Sequence, residues 1–474
     1  MIQFTNHALP EQPIRSIEQF RTGGGLEGLR AVRAQSANAT IALIEASGLR
    51  GRGGAGFPTG RKWRGLAESS SSADHAFVVI NGAEGEPGTF KDRSLLRSNP
   101  YLVIEGALIA AHCIGANRIV MATKAIYTRE VARLTAARAE FDREGLIDGI
   151  ELAIVEGPDQ YLFGEETAML EVIEGEDPLP RHLPPYHYGL FTTSPQLGWS
   201  AGLDDSPGGP AEHSDNPALV NNVETYAHAA LICRLGAEWY RTMGTHISPG
   251  PTIVTITGDV QRAGVAEIEL GQPLDQVIHE LTGGPTAGRS IKAVLSGVSN
   301  TVLTADKLAT PVSYEALADA DGGLGSAGFI VFDDRRNMVD VAYQVSRFLH
   351  VESCGQCNPC KTGTHDITAA LEHLVLGTGS HSSAVATIER RVQTVTDASR
   401  CYLPTQEQRV VTSLLREFPD DLAERLDGVR GDPDVALPKL LDLVDGVAHI
   451  DPKARYKRSD WTYAETPVVF TSRP

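Results

Sequence analysis

Ala76-Phe-Val-Val-Ile-Asn81 is the stretch that decides the fold. Five apolar residues in succession, with no polar alternation, predict a buried strand. Leu102 to Ile114 then has the character of a helix, and Arg118-Ile-Val-Met-Ala-Thr123 that of the next strand. Strand, helix and strand in this order predict a parallel sheet with helices packed on it. Such sheets collect ligands at the carboxyl ends of their strands. The first strand runs directly into Asn81-Gly-Ala-Glu84-Gly-Glu86-Pro-Gly88-Thr-Phe-Lys91-Asp92-Arg93. Asn81 can pair with a ring edge or a ribose, and Glu84 and Glu86 can accept from hydroxyls or an amide. A charged, solvated turn is the alternative reading of the same residues.

Upstream stands Gly51-Arg-Gly53-Gly54-Ala-Gly56-Phe57-Pro-Thr-Gly60-Arg-Lys62-Trp63. Glycines at this density let the backbone adopt positive φ and approach a ligand closely. Backbone N–H groups in such a loop can cradle phosphates or a flat ring, and Lys62 adds a positive charge. The spacing fits neither the Walker-A pattern nor a clean dinucleotide fingerprint, and a tight surface loop is the alternative. Downstream, Tyr161-Leu-Phe-Gly164-Glu165-Glu166-Thr167-Ala168 predicts a strand running through a glycine into a helix that opens on two acids. Acids in a first turn are also ordinary partners of the helix macrodipole. Asn221-Asn222-Val-Glu224-Thr225 predicts a helix start. Adjacent asparagine amides suit a heteroaromatic edge, although asparagine is also a plain helix cap.

The other chemical feature is Cys354-Gly-Gln-Cys357-Asn-Pro-Cys360, answered by a distant Cys401. Three thiolates at two-residue spacing can wrap one corner of a metal centre, and a fourth from elsewhere closes the shell. This is the ligand set of a 4Fe–4S cluster. Zinc more often pairs two separated knuckles, and free or redox-active thiols are the third possibility. Cys113 and Cys233 lie in apolar helical stretches and are expected to be buried small hydrophobes. His365 and His373 are expected to be surface or core residues rather than ligands.

Composition bounds the rest. The 474 residues are 42% hydrophobic and carry a net charge of −18. That length suggests about three domains. An acidic chain is a poor general nucleic-acid binder. No apolar run is long enough for a transmembrane helix, and the first fifteen residues lack the apolar core of a secretory signal. Cluster cysteines need a reducing compartment, so a cytoplasmic location is expected. The predicted organisation is a helical lead-in over 1–40, an α/β domain over 41–245, a small β-grasp-like module over 250–330, a helical region over 335–445 that carries the cysteines, and a polar tail over 446–474. In the module, strands Thr252–Gly258 and Gly264–Leu270 precede a helix, Leu274–Leu281, and a strand, Ile291–Leu295. Pro178 to Pro217, rich in Pro, Gly, Ser and Asp, is too long for an ordinary connection and is expected to be a structured functional loop or a partly mobile one.

The five motifs, in this order, resemble those of the NADH-binding flavoprotein subunit of bacterial respiratory complex I. The related diaphorase subunits of NAD-linked hydrogenases and formate dehydrogenases share them. The resemblance covers roughly residues 45 to 430. It implies a Rossmann-like flavin domain, a β-grasp module and a helical bundle with one cluster, binding FMN, NADH and a 4Fe–4S cluster. It implies FMN contacts from Gly51, Gly53, Lys62, Asn81, Glu84, Gly164, Glu165, Glu166, Asn221 and Asn222. It implies nucleotide contacts from Phe57, Lys62, Glu86 and Glu166, with Phe57 stacking on a ring and Glu86 and Glu166 positioning the nicotinamide. Cys354, Cys357, Cys360 and Cys401 would hold the cluster. Hydride transfer belongs to the flavin, so no acid–base residue is required.

Two departures fall on the flavin and nucleotide sites. Ala83 stands where the family carries an acid, and Leu183 where it carries a lysine. An acidic loop, Gly202 to Asn216, precedes Asn221. With a single cluster motif and no membrane segment, the chain is expected to pass electrons to a ferredoxin-like 2Fe–2S subunit or domain. The alternative expectation is a degenerate relay or assembly subunit that keeps the cluster without turning over nucleotide.

Overall fold

The computed structural model describes residues 2–70, 76–192, 215–463 and 469–470. Its strands, in chain order, are β1 (Phe4–Thr5), β2 (Phe77–Gly82), β3 (Arg118–Lys124), β4 (Glu151–Gly157), β5 (Ala218–Asn222), β6 (Pro251–Gly258), β7 (Gly264–Glu269), β8 (Ile291–Ser296), β9 (Leu303–Thr304), β10 (Gly328–Asp333), β11 (Leu440–Val444), β12 (Val447–Ile450) and β13 (Val469–Phe470). The chain divides into two compact units. One comprises Asn6–Glu84 and Asp92–Gly250 with β13. The other comprises the residues up to Thr5, Gly85–Lys91 and the chain from Pro251. The fold is mixed α/β with a parallel sheet.

In the first unit the sheet order is β13-β4-β3-β2-β5. β2 to β5 are parallel, and β13 adds an antiparallel edge to β4. Phe77, Val78, Val79 and Ile80 are all buried, as a strand covered on both faces requires. The helix Pro100–Ile114 is buried along nearly its whole length, with Asn99 as its N-cap and Gly115 (φ 72°) closing it. It crosses the helix Val223–Leu235 at Gly106, where an added Cβ would lie 1.9 Å from the Tyr226 carbonyl oxygen. Only glycine permits this approach. The chain passes from β2 to β3 to β4 in one direction and then places β5 on the other side of β2. The sheet therefore changes direction between β2 and β5, and sheets of this kind form their ligand crevice at the carboxyl ends of the two strands that flank such a point. The register sets Asn81 opposite Asn222 at that point.

Several local expectations need correction. Tyr161–Gly164 is a 3-10 turn and not a strand. β4 has already ended at Gly157, and Pro158, which has no N–H to donate, follows it. Asn221 and Asn222 close β5, and the helix begins only at Val223 with Asn222 as its cap. The lead-in is not wholly helical, since β1 pairs with β7, the region 335–445 ends in β11 and not in helix, and the tail contains β12 and β13. Most of the acidic loop 202–216, and the centre of the longer segment 178–217, lie outside the described residues.

The second unit carries a six-stranded sheet, β1-β7-β6-β10-β8-β9, in which only β6 and β10 are parallel. Its core joins Val254, Ile256 and Ile268 from the strands to Leu274, Val277 and Ile278 of the helix Leu274–Thr282, with Phe329 and Val331 from β10. Helices Met338–Glu352, Asn358–Leu376, His381–Thr394, Leu403–Glu417 and Pro419–Leu426 follow. β11 and β12 form a hairpin turned by Asp445 and Gly446, both at positive φ. No described helix is long and apolar enough to cross a membrane.

Glu407 lies fully buried among these helices and accepts a 2.6 Å hydrogen bond from Ser346 Oγ. Burial pushes its carboxyl up to about 8 from an ordinary 4.5. The folded state thus keeps a proton that the unfolded chain releases. The contribution of Glu407 to stability therefore falls as pH rises from about 4.5 to about 8. Glu407→Gln, which cannot titrate, is expected to lose less stability across that window than the parent chain. Thermal unfolding at its two ends checks this, and parallel losses in both proteins would contradict it.

Candidate functional site

At the crevice between β2 and β5, residues 51–57 form a closed loop. Gly51 N–H donates to the Phe57 carbonyl at 2.8 Å, Thr59 N–H to the Leu49 carbonyl at 2.9 Å, and Arg50 Nε to the Gly56 carbonyl at 2.7 Å. Gly54 (φ 127°) and Gly56 (φ 62°) take conformations costly for any other residue. A Cβ on Gly53 would stand 3.3 Å from Asn222 Cβ, so the loop backbone lies directly against the end of β5. The loop leads into the helix Thr59–Ser70, which carries Lys62 and the fully buried Trp63.

The anchor of this loop is a residue that sequence reasoning passed over. Arg52, flanked by glycines, is 2% exposed. Its N–H donates to Thr225 Oγ1 at 2.9 Å and its Nη2 to the Tyr240 hydroxyl at 2.9 Å. Its Nε lies 3.8 Å from Glu224 Oε1, and His228 Nε2 stands 3.4 Å from the same oxygen. The Glu-Thr of the asparagine motif is thus the receptor for the Arg of the glycine loop.

The predicted contact residues separate into two groups. Phe57 is 52% exposed, with the Arg61 guanidinium 5.9 Å from its ring centroid. Lys62 Nζ pairs with Glu166 Oε2 at 2.7 Å, both partly exposed. These three present chemistry to solvent. The others hold the cradle itself. Asn81 Nδ2 donates to the Gly164 carbonyl at 2.8 Å, and its Oδ1 accepts from Ala83 N–H at 3.2 Å. Asn222 donates to Asp92 at 2.8 Å and caps the next helix by accepting from Glu224 N–H at 3.0 Å. Asn221 is oriented to accept from Trp63 Nε1 at 2.9 Å. Glu165 caps the helix Glu166–Glu174, accepting from Thr167 N–H, Thr167 Oγ1 and Ala168 N–H. Burial pushes its carboxyl up, and those donors hold it down. Glu84 accepts from Asp92 N–H at 3.0 Å and from Arg93 Nε at 2.9 Å in a buried ion pair. Its carboxylate braces the turn after β2. Leu183 is half-buried and Ala83 is buried. The buried Arg181 ties the start of the long loop to Glu171 and Glu174.

Glu86 belongs to the other unit. Its Oε1 accepts from Val298 N–H at 2.7 Å and Ser299 Oγ at 2.6 Å. Gly297 (φ 58°) makes room for it, since a Cβ there would come within 2.2 Å of the carboxylate.

The four motif cysteines lie in the same unit as Glu86. Ser353 ends the helix Met338–Glu352, and Cys354-Gly355-Gln356 turns the chain. Cys357 is the N-cap of Asn358–Leu376, and Cys360 lies buried in its first turn. Cys401 directly precedes Tyr402, the N-cap of Leu403–Glu417. Three of the four sulfurs therefore sit at helix N-termini, where the macrodipole favours thiolate and an anionic cluster. Burial pushes the Cys360 thiol up to about 12, against a Ser353 hydroxyl 3.5 Å from its sulfur. Gln356 Nε2 donates to Cys354 Sγ at 3.6 Å. Among the described residues, no three His, Cys, Asp or Glu side chains converge as the ligands of one ion would. Cys113 and Cys233 are buried in helices, and burial pushes both thiols up, so they are chemically quiet.

The comparisons agree with this division. The family model of the Nuo51 FMN-binding domain matches residues 44–230, and that of the NADH-ubiquinone oxidoreductase-F iron-sulfur binding region matches 340–425. An F-type subunit of the NADH-quinone oxidoreductase of Rhizobium meliloti is 36% identical over 374 residues, covering 77% of this chain and 83% of that protein. The F-type subunit of the Aquifex aeolicus NADH-quinone oxidoreductase is 31% identical over 420 residues, covering 86% and 91%. A chain of the NAD+-reducing [NiFe]-hydrogenase, solved in its air-oxidized state, superposes with a TM-score of 0.71 at 32% identity over 85% of this chain. The present chain spans 65% of that hydrogenase chain.

Arg52→Ala is expected to destabilise the protein by about 3–5 kcal/mol, because it strands the buried Glu224 carboxylate. Arg52→Ala/Glu224→Gln is expected to recover part of the loss. Thermal or denaturant unfolding of the parent, single and double variants checks this, and equal losses in both variants would contradict it.

Proposed function

This chain belongs to the family of F-type subunits of NADH-quinone oxidoreductase, and we propose that the crevice between β2 and β5 seats FMN and NADH while the four cysteines hold the cluster. The chain is an FMN-dependent NADH dehydrogenase module with FMN and 4Fe–4S as cofactors and NADH as substrate. FMN held there would supply two-electron hydride acceptance and one-electron release, and a cluster held by Cys354, Cys357, Cys360 and Cys401 would supply one-electron relay. The observation that carries the reading is the register that sets Asn81 beside Asn222 at the switch point, with Gly53 packed against it.

Each residue then has a role. Gly51 and Gly53 let loop N–H groups reach the flavin, and Arg52 fixes the loop that carries them. Asn81, Asn221, Asn222 and Gly164 shape the floor, with Glu165 and Glu84 bracing it. Phe57 offers a flat exposed face for stacking on a ring. Lys62 supplies positive charge near the phosphates, and Glu166 steers Lys62 and can accept from the nicotinamide amide. Glu86 braces the Val298–Ser299 turn of its own unit. No side chain is asked to move a proton, because hydride transfer needs orientation and exclusion of water.

In this reading the parallel sheet is a Rossmann-like flavin domain, the six-stranded sheet includes a β-grasp-like module, and the last helices form the bundle of the cluster. The chain has six cysteines. Four go to one cluster and two are buried apart, so a second cluster must come from a partner. A ferredoxin-like 2Fe–2S protein meets that need, in a cytoplasmic assembly peripheral to a membrane. Ala83 and Leu183 give one reason to weigh a second reading, a relay subunit that no longer turns over nucleotide.

Anaerobic addition of NADH to the purified protein separates the two. Prompt bleaching of a flavin absorbance is expected, with a Phe57→Ala variant needing on the order of tenfold more NADH. An iron–sulfur spectrum without flavin, or flavin that NADH leaves unbleached, would contradict the dehydrogenase reading.

A further inference from the structure

Residues 451–463, which follow β12, form no helix or strand, yet they are tied at several points to the cysteine loop and the helix before it. Arg347 Nη2 donates to the carbonyls of Arg455 (2.6 Å) and Lys457 (3.0 Å). Lys457 Nζ pairs with the buried Glu352 at 2.7 Å. Trp461 Nε1 donates to the Ser353 carbonyl at 2.9 Å, one residue before Cys354. The Tyr463 hydroxyl donates to the Cys354 carbonyl at 3.2 Å. Lys361, one residue after Cys360, sets its ammonium 4.0 Å from the Trp461 ring centroid.

Gly355 completes the fit. Its φ of 76° is one reason for glycine, and Trp461 is the other, since a Cβ at 355 would lie 2.7 Å from the indole Cδ1. The indole therefore packs against the backbone of the first Cys-x-x-Cys turn, which two hydrogen bonds hold from outside. Nothing in the fold of the bundle requires this coverage, because Ser353 already ends its helix and Cys357 already caps the next.

We propose that residues 453–463 form a strap that keeps water and oxidants from the Cys354 side of the cluster and sets its reduction potential, with Trp461 as the positioning residue. It rests on the cluster assignment made above. An anionic cluster becomes more negative on reduction, and water stabilises that state more than an indole does. Loss of the ring therefore makes the cluster easier to reduce and easier to damage.

The test uses the full chain with its cluster, in three forms: parent, Trp461→Ala and Trp461→Phe. Iron and sulfide content, iron release to a chelator, bleaching in air and an EPR-monitored redox titration are read on each. Trp461→Ala is expected to shift the midpoint potential positive and to release iron on the order of tenfold faster. NADH-dependent bleaching of the flavin is expected to be unchanged. Trp461→Phe keeps an aromatic cover and is expected to stay close to the parent. If Trp461→Ala lowers only the unfolding temperature, leaving potential and iron release as in the parent, the strap is merely structural and the proposal fails. Should Trp461→Ala not fold, Tyr463→Phe, which removes a single hydroxyl from Cys354, must show the same signs at smaller size, and its failure to do so would overturn the proposal. A parent protein without iron would overturn this proposal and the cluster reading together, whereas a loaded parent with an indifferent Trp461→Ala overturns this one alone.

Discussion

A guanidinium buried in a glycine loop constrains the first unit more than any other contact. Burying Arg52 is unfavourable unless a carboxylate and further acceptors await it. Glu224, Thr225 and Tyr240 supply them, all from the segment that follows β5. The loop can therefore close in one position only, over the ends of β2 and β5. Glycines on both sides of Arg52 give the backbone freedom to lie against Asn222, and the arginine removes that freedom again once the fold is formed. Flexibility in the sequence becomes rigidity in the site. A flavin seat needs that combination, because orientation toward the nicotinamide is the protein's main contribution to hydride transfer.

The second unit solves a different electrostatic problem. Four thiolates around an iron core, as proposed for the four cysteines, would leave excess negative charge, which a protein interior tolerates poorly. Helix N-termini at Asn358 and Leu403 direct partial positive charge at three of the sulfurs. Ser353 and Gln356 place weak donors near two of them. The tail adds an indole, which the ammonium of Lys361 faces, and the ammonium of Lys457, which pairs with Glu352. Hydrogen bonds, charge and exclusion of water are the usual means by which a protein tunes such a centre.

Much of this was legible from residues alone. Continuous apolar runs identified β2 and β3, and their order implied the parallel sheet. Cysteine spacing pointed to an iron–sulfur region, and the matching family model covers residues 340–425. What stayed hidden was hidden for physical reasons. A charged residue among glycines reads as solvated, so Arg52 gave no hint of burial until its acid partner was placed beside it. Glu84 reads as a free acceptor, yet Arg93 folds back onto it through the turn after β2. Tyr161–Gly164 has strand-like composition, but Pro158 ends the ladder before it. Trp461 lies in a polar tail without periodicity, and it is held by side chains and not by any repeating backbone pattern, which sequence periodicity cannot register.

The seat between β2 and β5 is the centre of the account, and Gly53 is its narrowest point. FMN binding to the flavin-depleted chain, followed by quenching of flavin fluorescence, tests it most directly when parent and Gly53→Val are compared. A side chain there meets Asn222 and fills the approach to the loop. The expected result is an affinity lower by on the order of a hundredfold, with the iron–sulfur spectrum intact. Undiminished FMN affinity in Gly53→Val would contradict the account.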